Sequence, residues 1–585
     1  MLYNEFCQYL QSLENTSSRN KMTEILIDFF QKINIEDVKY AISLLKGQLH
    51  NNWESQNEIN LAGKMALTAM SSICSYSKEK LEIMQKEIGD IGDLAEQVLK
   101  KKIQKTLFSI TSKGVQLQEV YDTLIKISNM SGGGSNKNKI EELTALYSKM
   151  TPLESKFLTK FVVRTYRLGF QDATILDALA ILYLGDKKKK EVIERAYNFR
   201  PDLVYIIETL MKGEDVEKIK PSLFIPIRMM LAQRLESSKQ ILENHNGKTI
   251  CEFKYDGVRL QIHKKGKRIE MYSRGLEEIT HQFPEIKKAV LDIPIDNLII
   301  EGEVCAVNDI DEIQKFQVTA RRKRKHDIDR LIDEIPVKIF LFDILYCDDE
   351  IFIDKPFTLR REKLEEIIKE NNILRLANSY IIQNVDDLQN LFFKAVEENT
   401  EGLMCKKLDS KYSAGTRGSD WIKLKASYQS QLQDSIDVVC IGALKGSGKR
   451  TGKYASIVVG TYNKITGKYE SLSKVGSGFA DSVLNEMNIK FKILNKKPDN
   501  VVAGWTPDFW FLPEYVMEII GDEFTLSPSY SCAKDTFEKG RGISLRFPRF
   551  KKWRDDKNII DATTTQEIIE MYKLSNINNG GKKNE

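Results

Sequence analysis

The sequence predicts a multidomain chain with an all-α N-terminal part, an α+β centre and a small β-barrel toward the C-terminus, and three observations predict it. The first is length. At 585 residues the chain exceeds what one compact core serves, and usual domain sizes imply about three or four domains. The second is proline placement: none of the 13 prolines precedes Pro152, and proline is the residue that interrupts helices. The third is a change of period after about residue 220, where helical spacing gives way to apolar strand-like runs.

The helical part is justified by runs such as Leu117, Val120, Tyr121, Leu124, Ile125 and Ile175, Leu176, Leu179, Leu182, which place apolar residues on one helix face. A glycine-rich stretch, Ser131 to Lys139, opens a helix beside Lys137 and Lys139. It reads either as an interhelical linker or as a phosphate-binding loop. Asp186 followed by lysines 187–190 is a solvated helix face with no function assigned. The segment Pro221 to Ala232 is an extended connector. Beyond it, Leu298 to Ile300 and Val337 to Leu345 read as strands, and Arg361 to Glu370 as an amphipathic helix. Further on, Asp437 to Gly442, Ser456 to Gly460 and Glu514 to Ile519 are short β-type runs divided by Gly and Pro, as in a barrel of the OB kind. Residues 575–585 are rich in Asn, Gly and Lys and read as a disordered tail.

Composition excludes several classes. Lys+Arg 88 against Asp+Glu 83 leaves a net charge of +5, so a nucleic-acid footprint must be local. Eight cysteines are scattered without a C-x-x-C pair and five histidines show no ligand spacing, which leaves neither a disulfide framework nor a zinc finger. The first residues carry no basic and apolar signal pattern, and no apolar run approaches the length of a membrane span. A reduced, soluble, intracellular protein is expected. Ala443 to Arg450 mimics a phosphate loop, but a Walker motif needs Gly where Ala443 stands and Ser or Thr where Arg450 stands. It suits a basic loop or a barrel turn instead.

Chemistry is concentrated around Lys254, in Glu252-Phe253-Lys254-Tyr255-Asp256-Gly257-Val258-Arg259. A lysine becomes a nucleophile only when its surroundings favour the neutral amine. Apolar residues at 251, 253 and 255 indicate a strand end, with Asp256-Gly257 as the turn. Alone, K-x-D-G is compatible with a surface hairpin. It is followed in order by Ser273-Arg274, Glu301-Gly302-Glu303, Phe340-Leu341-Phe342-Asp343, Glu401-Gly402-Leu403-Met404-Cys405-Lys406 and Trp421-Ile422-Lys423-Leu424-Lys425. This collinear set resembles the motifs of covalent nucleotidyltransferases, and most closely the ATP-dependent DNA ligases, and the segments Phe316 to His326 and Phe170 to Ala173 look most like those of archaeal type. The terminal Arg554-Asp555-Asp556-Lys557 resembles the R-x-D-K tail of cellular DNA ligases.

The resemblance implies a role for each matching residue. Lys254 would be the catalytic nucleophile that takes AMP from ATP. Glu252 matches a position near the adenine amino group, and Phe342 matches the aromatic that stacks on the base. Arg259 and Arg274 match arginines holding ribose and phosphate, where a guanidinium fork suits bidentate contacts. Lys406, Lys423 and Lys425 match phosphate-contacting lysines, and Arg417 a nucleotide-contacting arginine. Lys423 and Lys425 alternate on one strand face, and their positive charge would favour the neutral amine at Lys254. Glu303 and Glu401 match glutamates that bind ribose or a metal, and Mg²⁺ prefers one or two carboxylates plus substrate phosphate. Arg554, Asp556 and Lys557 would orient pyrophosphate.

The same resemblance gives the domains their expected tasks: a helical DNA-binding domain over 1–220, an adenylation domain over 221–426 and an OB-fold domain over 427–574. It implies an ATP- and Mg²⁺-dependent ligase that seals nicked double-stranded DNA in replication, repair and recombination. A sliding clamp is a candidate partner, and the enzyme is expected to be a monomer with no membrane partner. The compartment would be the cytoplasm in a prokaryote and the nucleus in a eukaryote. An RNA ligase or capping guanylyltransferase shares K-x-D-G and the lysine pair, and a non-catalytic DNA-binding scaffold is the reading from another class.

Overall fold

The computed structural model describes residues 1–54, 59, 61–100, 114–166, 168–323, 328–425, 435–446, 452–521 and 523–577. Two compact units divide the chain. One comprises Met1–Leu235, Lys239–Leu388 and Met404–Lys423, and the other Glu236–Ser238, Gln389–Leu403 and Leu424–Glu585.

In the first unit the chain begins as helices only, from Tyr3–Glu14 to Leu203–Met211, with no strand among the described residues before Leu231. The helices Leu117–Asn129 and Asp172–Leu184 stand where the apolar spacing puts them, and Leu117, Val120, Tyr121, Leu124, Ile175, Leu176 and Leu179 are buried. One apolar core runs through this part from Tyr3 to Ile219. Helix starts follow capping chemistry: Thr151 accepts from the Glu154 backbone while the Glu154 side chain takes the Thr151 N–H, and Pro152 occupies the first turn. The basic run is structural in part, since Lys187 and Lys190 pair with the buried Asp177 at 3.2 and 3.4 Å. Of the two lysines beside the glycine-rich stretch, Lys139 is buried and donates to the Ile59 carbonyl, while Lys137 faces Glu141 at 3.8 Å.

The α+β part contains two sheets. A five-stranded sheet has the order Leu231–Arg234, Arg417–Lys425, Gly402–Lys406, Thr249–Phe253, Ser379–Ile382. A six-stranded sheet runs Arg268–Ser273, Val258–Lys265, Asn297–Ala306, Val337–Cys347, Glu350–Ile351, with Leu374–Leu376 also on Val337–Cys347. Both central strands read from sequence are therefore longer than their apolar runs. The helix expected over Arg361 to Glu370 spans Phe357–Ile367 instead. It starts directly after Pro356, which fits a helix start.

The connector before the first sheet is fixed by polar groups of the strand Val258–Lys265. The Phe224 N–H donates to His263 Nδ1 at 2.9 Å, and Ile227 N–H donates to Gln261 Oε1 at 2.7 Å. His263 is fully buried, and burial pushes its imidazole down to about 3. A depressed folded value means the unfolded chain binds the proton first, so this stability is present above about pH 6.5 and lost as pH falls. Between pH 7 and pH 4 the group contributes a loss of about 3 kcal/mol. Thermal melting across that range should show a steeper acid decline in the parent than in His263→Gln. Equal slopes would remove His263 as the cause.

In the second unit the C-terminal part is a sheet domain. The described strands form an eight-stranded sheet, with Ile436–Lys445 at its centre, and a separate two-stranded ribbon of Glu523–Ser527 with Gly542–Arg546. The central strand forks: Ile436 to Val439 pair with Val516–Ile520, whereas Gly442 and Ala443 pair with Phe509–Phe511. The end of the chain also differs from expectation, because the helix Thr565–Ile577 carries residues 575–577 of the expected tail. Residues 578–585, and 447–450 of the loop that mimics a phosphate site, lie outside the described residues. No described helix is long and apolar enough to cross a membrane, and all eight cysteines are buried free thiols.

Candidate active site

Lys254 follows the wholly buried strand Thr249–Phe253 and precedes Val258–Lys265, so its backbone leaves a rigid edge. The turn must carry a glycine. A Cβ on Gly257 would lie 2.1 Å from the Val304 carbonyl and 2.8 Å from Cys305 Sγ, far inside any contact distance. That close approach brings the turn onto the strand Asn297–Ala306, where Arg259 stands opposite Glu303. Lys254, Asp256 and Glu303 all act on the buried Cys305 thiol: burial raises it most, the two carboxylates raise it further and the lysine lowers it. The lysine, the motif aspartate and the candidate metal-binding glutamate therefore each lie within electrostatic reach of one buried sulfur.

Arg259 is held from three sides. Its guanidinium donates to Glu301 Oε2 at 2.7 Å and to the Met230 carbonyl at 2.8 Å, and it lies 3.4 Å from the Tyr412 hydroxyl. Glu301 is fully buried and also accepts from Tyr412 at 2.8 Å and from Gln261 at 3.1 Å. Desolvation works against the Arg259 charge, but Glu301 first and Tyr412 next raise its basicity above the usual range. Such an arginine is preorganised, because its partners are satisfied before any ligand arrives.

Phe342 is partly buried between two cations: Arg259 lies 5.3 Å from its ring and Lys406 lies 4.7 Å from it. Lys406 is 1% exposed, paired with Glu252 at 2.6 Å, donating to the Phe342 carbonyl at 3.2 Å and packed over Phe357 and Trp421. Its ammonium thus faces Glu252 and three rings, a different setting from the phosphate contact its motif implies. Glu252 is 2% exposed and Arg361 approaches it at 3.3 Å. Burial raises the Glu252 carboxyl and lowers the Lys406 ammonium, each opposed by the other's charge. Removing one partner alone would strand a buried charge. Next to Phe342, Asp343 is fully buried against Arg360 at 2.7 and 3.1 Å, which fixes the strand carrying the ring.

Other expected residues occupy separate places. Arg274 is exposed at the turn after Arg268–Ser273 and lines a cavity of about 450 Å³ with Lys46, Asn52, Trp53, Asp172 and Arg228. Arg417 is exposed at the start of its strand, opposite Leu231, and Lys423 stands opposite Arg234. In the second unit Lys425 pairs with Glu401 at 2.6 Å. There Gly402 takes φ +131°, and a Cβ on it would lie 2.2 Å from the Leu424 carbonyl, so the E-G motif is required by backbone packing. Arg554 donates to both oxygens of Asp437 at 3.0 and 2.9 Å and to Asp556 at 2.9 and 2.8 Å, while Lys557 donates to Asp437 at 2.6 Å.

Sequence reasoning missed Glu301, Tyr412, Arg360, Arg361 and Asp437. Glu301 shares a strand face with Glu303 by alternation, and that spacing was the available signal for it. Arg361 and Asp437 belong to partners far apart in sequence, and no local pattern announces them. Among the described residues no three His, Cys, Asp or Glu side chains form a metal cage.

Two sheets carrying a lysine at a strand end, a buried glutamate network and a ring held between cations make the centre a nucleotidyltransferase domain. Comparison with known proteins narrows the class. Residues 229–425 match the family model "ATP dependent DNA ligase domain", residues 2–180 match "DNA ligase N terminus", and residues 450–557 match "ATP dependent DNA ligase C terminal region". A DNA ligase of Sulfurisphaera tokodaii is 41% identical over 586 residues, covering 98% of each chain. One from Saccharolobus solfataricus is 41% identical over 585 residues, covering 98% of this chain and 97% of the relative. In fold the chain is similar to the solved structure "Pmar-Lig_PreS3", with a TM-score of 0.55 at 18% identity, covering 94% of this chain and 99% of that one. The chain belongs to the ATP-dependent DNA ligases.

Proposed function

We propose that the enzyme seals nicks in duplex DNA through a covalent Lys254–AMP intermediate, in replication, repair and recombination. The observation that carries this is the position of Lys254, between the buried strand Thr249–Phe253 and the Gly257 turn packed onto the strand that carries Glu303. In the first step the neutral Nζ attacks the α-phosphorus of ATP, a P–N bond forms as Nζ gives up one proton to solvent, the bond to the β-phosphate oxygen breaks and pyrophosphate leaves. In the second, a 5′-phosphate oxygen at the nick attacks the same phosphorus, and Lys254 departs and regains its proton. In the third, the 3′-hydroxyl attacks the 5′-phosphorus, loses its proton and displaces AMP. Charge builds on phosphate oxygens in every step, which is where fixed cations help.

The other residues take roles that fit their settings. Arg259, Arg274, Arg417, Lys423 and Lys425 bind the sugar and phosphates, Phe342 stacks on the base, and Glu252 reads the adenine amino group. Lys406 holds Glu252 and the Phe342 strand in place, and reaches phosphate only if that pair opens. Glu303 and Glu401 would each offer carboxylate oxygens to Mg²⁺, with phosphate and water completing its shell. Bound there, the metal would neutralise phosphate charge. Arg554, Asp556 and Lys557 orient pyrophosphate.

The domain boundaries we favour are 1–220 for DNA binding, 221–426 for adenylation and 427–574 for an OB fold. The apolar core ending at Ile219 supports the first. An OB-type arrangement is supported by a ring of pairings among Ile436–Lys445, Tyr454–Asn463, Lys468–Val475, Arg549–Trp553 and Val516–Ile520, joined by the single bridge between Ser477 and Arg549. Contacts to DNA phosphates would make affinity sequence-independent and salt-sensitive. We further propose a monomer inside the cell, with a sliding clamp as partner.

Incubation with α-labelled ATP and Mg²⁺ without DNA tests the reading. An acid-labile, alkali-stable label on the protein is expected, with none from GTP. Absence of label from ATP removes the proposal. A finer expectation concerns stacking: Phe342→Ala should raise the ATP needed for half-maximal adenylation by about tenfold, since stacking contributes about 1–3 kcal/mol per base. Sealing of a pre-adenylated nick should change less. Equal loss in both assays would make the ring a packing element.

A further inference from the structure

The terminal motif is occupied before any nucleotide arrives. Four contacts from Arg554 go to two carboxylates, both oxygens of Asp437 and both of Asp556, and Lys557 adds a third hydrogen bond to Asp437. A guanidinium has five N–H donors, so little of Arg554 remains for an anion while these bonds last. The two carboxylates differ in kind. Asp556 travels with the motif, two residues from Arg554, and its side chain is 66% exposed. Asp437 belongs to another strand, is buried, and is pinned through its backbone: its N–H donates to Thr563 Oγ1 at 3.0 Å, and its carbonyl accepts from the Thr563 N–H at 2.9 Å. It is a fixed anion facing the two motif cations on their long side chains.

A neighbouring carboxylate is already committed elsewhere. Glu518 stands opposite Asp437 in the sheet and pairs with Lys551 at 2.8 Å and Lys552 at 3.5 Å, with Arg554 no closer than 3.9 Å. Asp437 is therefore the anchor that both motif cations share, and nothing in the motif's sequence points to it. Any polyphosphate that recruits Arg554 and Lys557 competes with that carboxylate for the same donors.

We propose that Asp437 is a positioning residue that parks Arg554 and Lys557 by ion pairing, so that ATP must displace its carboxylate before the terminal motif acts on pyrophosphate. This rests on the pyrophosphate-orienting role proposed above. Parking reduces the fraction of molecules whose motif is free, and the apparent affinity for ATP falls by that fraction. The enzyme binds ATP less tightly than its contacts permit, and in exchange the motif cations are kept from other anions, the DNA backbone included.

Removing the charge should tighten the ATP requirement. In full-length Asp437→Asn, the ATP concentration for half-maximal self-adenylation is expected to fall about fivefold or more, with a maximal rate no lower than the parent's. Sealing of a pre-adenylated nick should be unchanged. Asp437→Glu, which keeps the charge, should stay within about twofold of the parent. Should the Asn variant not fold, Asp437→Ser repeats the measurement with the same expectation, because the Thr563 bonds use only the backbone. An ATP requirement that is unchanged or raised in the charge-free variant overturns the proposal, as does an equal fall in Asp437→Glu. Lys557→Ala separates the two layers. If it adenylates as fast as the parent, the pyrophosphate role itself fails. If it is slow while Asp437→Asn shows the parent's ATP requirement, only parking fails.

Discussion

Lys254→Ala is expected to lose self-adenylation and nick sealing from ATP altogether, and Lys254→Arg to lose both as completely. The alanine removes the only atom that bonds to AMP. The arginine keeps positive charge and length, but a guanidinium stays protonated at any pH the enzyme survives and offers no lone pair for attack. The pair of variants thus separates nucleophilicity from charge. Neither substitution should unfold the protein, because Lys254 lies outside the buried strand Thr249–Phe253 and is itself only partly buried. Both variants should melt near the parent's temperature, and both should still seal a pre-adenylated nick, where the lysine's bond has been bypassed. Labelled AMP on either variant would falsify the assignment of the nucleophile.

How much of this site was legible in the sequence depends on how far apart the partners lie. Lys254, Gly257 and Arg259 sit within one strand–turn–strand segment, and local spacing is enough to set their roles because the turn geometry fixes them together. Gly257 shows why the motif tolerates no side chain: the Val304 carbonyl occupies the space. The alternation of Glu301 and Glu303 was visible too, but not that Glu301 would be the buried one, holding Arg259 and Tyr412. Burial depends on which sheet face meets the connector, and that is decided by Gln261 and His263 bonding to residues 224 and 227. Lys406 is the sharpest case. Its motif marks it as a cation for phosphate, yet Glu252, 154 positions earlier by numbering, takes its ammonium into the interior. Nothing within a window of sequence reveals such a pairing.

The fold divides along the same line. Helical spacing named the N-terminal helices because each buries one face against a common core, a property of the local period. Strand order was beyond reach. In the C-terminal part the short runs were recognised as strands, but whether they close a barrel depends on which edges pair. The central strand Ile436–Lys445 forks between two partners rather than keeping one.

The terminal motif carries the second large effect. Lys557→Ala, or truncation before Arg554, is expected to slow self-adenylation by about a hundredfold or more, the scale of losing charge stabilisation at a reacting phosphate. Sealing of a nick that already carries 5′-AMP should remain close to the parent's rate. The reason is chemical: pyrophosphate exists only in the first step, so groups that orient it have nothing to act on afterwards. Truncation also frees Asp437 of both its cations and removes the segment around Thr563 that bonds its backbone, so the point substitution is the cleaner of the two. A lid-type motion is the physical basis, because side chains bonded to Asp437 must leave it to serve the nucleotide and return once pyrophosphate departs. Rapid-quench measurement of each step on the same preparation decides the matter. Normal adenylation with failed sealing of the pre-adenylated nick would place Arg554, Asp556 and Lys557 on the DNA and not on the nucleotide.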